Sequence, residues 1–116
     1  MASRADLVRK ILKALGVWQA GQDLPPEDYK AVDQELPTRL LAMSKAGIYT
    51  ATVTNIPDEA VDAIADYLAE RYSKDFGIVA GDELVQLKTD AARAEGDLRF
   101  LNTMRPTYAR NRPEYF

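Results

Sequence analysis

One run of residues constrains this chain more than any other: Leu84, Leu87, Ala91, Ala94, Leu98 and Leu101 follow one another at intervals of three, four, three, four and three. Only an α-helix gathers residues at those intervals onto a single face. The run predicts a helix from Gly81-Asp82-Glu83 to about Asn102, with a heptad seam on one side. Alanines in the middle of the seam leave room for another helix to approach closely. Three heptads are short for a free-standing coiled coil, which favours an intramolecular core over a dimer interface.

Three more segments carry the helical period. Leu7, Val8, Ile11, Leu12 and Leu15 mark a first helix over about 4–15, with Ser3 or Asp6 available at its start and Gly16 at its stop. A loop over 18–26 follows, holding Trp18, Gly21 and the Pro25-Pro26 pair; Trp18 reads as a lid on the core rather than an anchor for a partner. A second helix starts near Pro26, with Glu27 and Asp28 in its first turn and Tyr29, Val32, Leu36, Leu40 and Met43 on its buried face. Pro37 falls inside that pattern and predicts a kink or a split, because proline removes a backbone donor and crowds the preceding turn. Gly47 is the expected stop, and the β-branched and aromatic stretch from Ile48 to Thr54 reads as an extended segment, at most one short strand. A third helix is expected from Pro57-Asp58-Glu59 to about Asp75, with Val61, Ile64, Ala65, Leu68 and Tyr72 as its apolar stripe. The tail over 105–116 holds Pro106 and Pro113 among three arginines and three aromatic residues, and cannot be regular helix throughout. The expected fold is therefore all-α: a compact bundle of about four helices with a short extended segment and an irregular C-terminal arm, divided as 1–104 and 105–116.

Composition narrows the chemistry. With 116 residues the chain fits one domain, and it contains neither Cys nor His. Thiolate nucleophiles, disulfides, Ser-His pairs and the commonest transition-metal ligand are thereby excluded. No enzyme chemistry, metal or cofactor is expected. No stretch approaches the roughly 18 consecutive apolar residues that cross a bilayer, and the start of the chain lacks a signal-peptide pattern, since Arg9, Lys10 and Lys13 interrupt its apolar run. A cytoplasm-like compartment and no membrane partner are the corresponding expectations.

The formal net charge of −3 conceals an uneven layout. Residues 1–22 and 99–116 each carry +3, whereas 23–98 carry −9 from 7 basic and 16 acidic side chains. A body this acidic is a poor reader of duplex DNA, whose affinity comes mostly from phosphate contacts.

Two constellations stand out as candidate sites. Asp58, Asp62, Asp66 and Glu70 are spaced four apart, so on one continuous helix they share a face that could hold a hard cation. Di-metal bundles add histidines that this chain lacks, and a solvated acidic face is the plainer reading. The second constellation is the tail, with Arg105, Pro106, Tyr108, Arg110, Arg112, Pro113, Tyr115 and Phe116. Proline lowers the cost of ordering an extended segment, and arginine and aromatic residues are frequent anchors at interfaces, so this composition suits docking into a groove on a partner. A strap on the protein's own surface is the alternative.

Asp6-Leu7-Val8-Arg9, followed by Leu12, Lys13 and Leu15-Gly16-Val17, resembles the opening of head-to-tail adaptor proteins of tailed bacteriophages. The closest likeness is to the tail accessory factors of short-tailed phages, which close the portal after DNA packaging. The resemblance extends through the order of elements: an amphipathic helix, a loop with acids and Pro, a second helix ending at a glycine before an extended segment (here Gly47-Ile48-Tyr49), an Ala-rich third helix, and a long fourth helix. That helix leads to an arm matching Arg105-Pro106-Thr107-Tyr108 and Arg112-Pro113. Longer members continue past the position of Phe116, and contacts of their longer tails are not carried over.

The resemblance implies a structural, non-catalytic subunit of a ring, commonly twelvefold, in the virion neck after assembly in the host cytoplasm. Its implied partners are the portal protein ring, neighbouring subunits and a downstream tail or neck protein, with DNA only passing non-specifically through the channel. Residues 1–104 would form the adaptor domain and 105–116 the docking arm. An acidic strip of Asp58, Asp62, Asp66 and Glu70 facing that channel would repel DNA and let it slide. The alternatives are a small helical protein-binding or regulatory module unrelated to phage assembly, and a metal-assisted hydrolase built on the acidic ladder.

Overall fold

A computed structural model describes residues 2–19 and 21–104. Four α-helices follow in order: α1 (Arg4–Leu15), α2 (Pro26–Lys45), α3 (Val61–Tyr72) and α4 (Asp82–Met104), with one turn of 3-10 helix over Ser73–Phe76 between the last two.

Helix α1 begins and ends as its sequence dictates. The Ser3 hydroxyl accepts from the Asp6 amide at 3.1 Å, and the Asp6 carboxylate accepts from the Ser3 amide at 3.3 Å, satisfying two orphan donors reciprocally. These bonds hold the Asp6 carboxyl below its ordinary pKa. At the other end Gly16 takes φ of 80°, a left-handed conformation open to glycine at little cost, and its amide turns back to the Leu12 and Lys13 carbonyls. All five residues of the apolar period of α1 are buried.

Helix α2 is not split at Pro37 but runs unbroken through it. Proline has no N–H for the carbonyl four residues earlier, that of Asp33. Instead the Arg4 guanidinium, arriving from α1, donates Nη2 to the Asp33 carbonyl at 2.9 Å and Nε to the Asp33 carboxylate at 2.6 Å. The polar group that Pro37 strands is thus satisfied across the α1–α2 contact, and Pro37 itself faces solvent.

Segment 48–56 forms no strand among the described residues. Its β-branched composition predicts extended backbone, but a ladder needs a partner of comparable length. Only single bridges occur, between Thr52 and Asn55 and between Ala2 and Ile56. The segment serves the core instead, burying Ile48, Tyr49, Ala51 and Ile56.

Helix α3 is shorter than its sequence suggests. Residues 57–60 form a turn, closed by the Ala60 amide on the Pro57 carbonyl, and the helix proper starts at Val61. Beyond Tyr72 the chain tightens into the 3-10 turn and stops at Gly77, left-handed with φ of 79°. Helix α3 packs against α1 on one side and α4 on the other. Tyr67 and Ala69 are therefore buried beyond the five-residue stripe. On the α2 side the Tyr72 hydroxyl donates to the Val32 carbonyl at 2.8 Å while Arg39 lies 4.4 Å from the Tyr72 ring centroid.

The seam of α4 is core. Leu87, Ala91, Ala94 and Leu98 are buried, and the helix lies along α3. Burial fades at Leu84 and Leu101, the two ends of the run. Trp18 partly covers the core as a lid, with its indole N–H donating to the Gln22 carbonyl at 3.1 Å.

Candidate functional site

The acidic ladder does not form one continuous strip. Asp58 lies in the turn before α3, so only Asp62, Asp66 and Glu70 share the helix. The predicted common face required a helix already formed at Pro57, and the turn over 57–60 removes Asp58 from that register.

The remaining three acids sit in different surroundings. Asp62 is exposed and accepts a salt bridge from Lys10 of α1 at 2.8 Å, which raises the Lys10 pKa. Asp66, half-buried, borders the α1–α3 groove with Lys10, Lys13 and Asp62. Burial raises its carboxyl pKa, and the negative charges of Asp90 on α4 and of Asp62 raise it further. Glu70 pairs with Arg71, whose other nitrogen donates to the Tyr67 hydroxyl at 3.0 Å. The basic face of α1 therefore takes up part of the acidic face of α3 within the chain. Among the described residues, no group of three or more acidic side chains converges as a metal centre requires.

Three further depressions in the described surface have the size of a side-chain pocket or groove. One of about 390 Å³ lies between the start of α1 and the turn before α3, with Arg9, Lys13 and Trp18 opposite Asp58 and Val61. A second, of about 400 Å³ and almost wholly apolar, lies between α2 and the 50–53 segment, bordered by Pro37, Leu40 and Leu41. Leu41 is 54% exposed there. The third, about 310 Å³, opens where the end of α1 meets the first half of α4; its walls are Leu15, Ile78 and Leu87, with Glu83, Gln86 and Asp90 alongside.

Neither of the last two grooves was legible from sequence. The third joins elements far apart in the chain, the second depends on how 50–53 folds back beside α2, and the exposed Leu41 beside the buried Leu40 is the one local signal of the second. The eight predicted docking residues Arg105, Pro106, Tyr108, Arg110, Arg112, Pro113, Tyr115 and Phe116 lie outside the described residues. Helix α4 carries the chain without a break to Met104, immediately before them.

Comparison with known protein families, with curated proteins and with solved structures finds no match to this chain.

Proposed function

We propose that this chain is a structural head-to-tail adaptor subunit of a tailed bacteriophage, assembling as a ring under the portal to close the DNA-filled head and receive the tail. Its station would be the virion neck, its partners the portal ring, neighbouring subunits and a downstream tail or neck protein. The single observation that carries the reading is the succession of elements. A capped amphipathic helix, a Pro-containing loop, a second helix that stops before Gly47, an Ala-containing third helix and a 23-residue fourth helix follow in that order. The fourth helix delivers the chain directly to the Arg/Pro/Tyr segment.

The channel-facing role of the acidic side chains narrows on this reading to Asp66, with Asp62 engaged by Lys10 and Glu70 by Arg71. Asp66 lies within the electrostatic reach of Asp62 and Asp90, and negative charges gathered on one face repel passing DNA.

The test is electron microscopy and co-sedimentation of the protein with portal rings of the phage or prophage whose genome encodes it. The expected result is a ring of adaptor density beneath the portal, lost when residues 105–116 are deleted while circular dichroism stays helical. A protein that leaves the portal rings bare in both assays overturns the adaptor reading and favours a helical protein-binding or regulatory module. Full binding by the truncated protein would retain the adaptor and reject the arm as its anchor.

A further inference from the structure

The groove between the end of α1 and the first half of α4 combines an apolar floor with an acidic rim. Leu15, Ile78 and Leu87 supply the floor, and Glu83 and Asp90 the charge. Among the described residues neither acid forms a salt bridge. Asp90 accepts only a hydrogen bond from the Gln86 amide, at 3.0 Å. Lys10 and Lys13 of α1 border the neighbouring groove, where Lys10 is engaged by Asp62. The charge of Asp90 reaches across to Asp66 of α3, where Arg93 opposes it only in part. A groove of this kind suits a segment that brings both arginines and apolar rings.

Residues 105–116 of the same sequence have that composition. They hold Arg105, Arg110 and Arg112 against Glu114, with Tyr108, Tyr115 and Phe116 as rings and two prolines to stiffen the backbone. Guanidinium groups pair with carboxylates through two parallel bonds, and aromatic faces cover aliphatic floors. Twelve residues in extended form span about 40 Å, ample to cross such a groove.

We propose that this groove receives residues 105–116 of a second copy of the chain, so that copies join head to tail. Direction favours a second copy over the chain's own tail. Helix α4 runs from the groove toward Met104, and residue 104 lies about 21 Å further along the axis than Asp90. A segment leaving in that direction must reverse to reach its own groove, whereas a neighbour's groove can lie ahead of it. The groove and the segment occupy different places on one chain, which makes the contact heterologous, and repeated heterologous contacts close into rings or extend into filaments. The inference goes beyond the adaptor reading, because the contact joins copies of this chain and needs no portal.

The test uses the full chain without a portal, by sedimentation velocity over a range of concentrations at low salt. The parent is expected to associate increasingly with concentration, and less so as salt is added. Glu83→Arg with Asp90→Arg reverses the groove; Arg110→Glu with Arg112→Glu reverses the arm. Each double variant alone should associate about tenfold or more weakly, as expected for opposed charges at a contact. An equal mixture of the two should recover association, since the parent arm of one variant meets the parent groove of the other and the reversed arm meets the reversed groove with opposite charges again facing each other. Circular dichroism checks that both variants remain helical, and the arm variant leaves residues 2–104 untouched.

A parent that stays monomeric at every concentration overturns the proposal. Variants that associate as the parent does also overturn it, as does a mixture no better than its components. Portal binding by a protein that fails this test would leave the adaptor reading standing.

Discussion

Replacing Arg4 by Met keeps an unbranched aliphatic stem on α1 and removes the guanidinium that reaches Asp33. Two contacts are lost: a charge-assisted bond to the Asp33 carboxylate and the donor to the Asp33 carbonyl, which Pro37 cannot serve. Bonds to charged groups contribute about 1.5–3 kcal/mol, and a stranded buried acceptor costs about 1–3 kcal/mol. The Arg4 and Asp33 side chains are 39% and 31% exposed, so water recovers part of both. The expected loss is about 1.5–2 kcal/mol, the lower end of those ranges. Pro37→Ala provides the discriminating background, because alanine returns an N–H to the Asp33 carbonyl. In that background Arg4→Met should cost only the ion pair, about 0.5–1 kcal/mol. The double-mutant cycle therefore predicts a coupling of about 1 kcal/mol between two residues that share no sequence neighbourhood. Urea unfolding of the four proteins, followed by circular dichroism, measures it. Additive losses, with coupling below about 0.3 kcal/mol, would refute the idea that Arg4 stands in for the missing amide.

Three further outcomes are expected. Leu98→Ala empties a fully buried position on the α4 seam and should cost about 3–4 kcal/mol, with the same loss at protein concentrations about fiftyfold apart; a loss that varies with concentration would reassign the seam to an interface. Tyr72→Phe should cost about 1 kcal/mol in urea unfolding, for the lost bond to the Val32 carbonyl. Burial holds the Tyr72 phenol protonated up to about 12, so the folded state keeps its proton while the unfolded chain ionises; the parent should lose stability above about pH 10 more steeply than the Phe variant. Asp66→Asn should raise the melting temperature at neutral pH. The folded carboxyl binds its proton more tightly than the unfolded one, so parent stability falls as pH rises through the folded value, and a variant melting lower than the parent at pH 7 would contradict this.

Local chemistry determined a large part of this protein without help from tertiary structure. The ends of α1 follow from Ser3, Asp6 and Gly16, because capping is a contest among near neighbours for the same backbone donors and acceptors. The buried faces of α1, α2 and α4 follow from spacing alone, since the helical period decides which side chains lie together before any partner arrives. The third helix was legible as a helix but not in extent: the turn over 57–60 and the 3-10 turn after Tyr72 trim both ends. The acidic ladder was legible as a list and not as a site, because spacing of four gives a common face only where one helix is continuous.

Tertiary structure alone decided whatever depends on a partner far along the chain. A proline within a helical pattern signals a kink or a split, and no local rule names Arg4, 29 residues before Asp33, as the donor to the carbonyl that Pro37 leaves unserved. Residues 48–54 had the composition of a strand, but a ladder exists only with a second strand beside it, and the fold supplied single bridges. Asp62 and Asp66 began as equivalent positions on one helix face. Packing placed Lys10 against the first and Asp90 near the second, leaving one carboxylate paired and the other crowded by like charge. Periodicity and caps are short-range and so are written in the chain, whereas charge pairing, burial and the rescue of stranded backbone groups act through space and exist only once the helices have met.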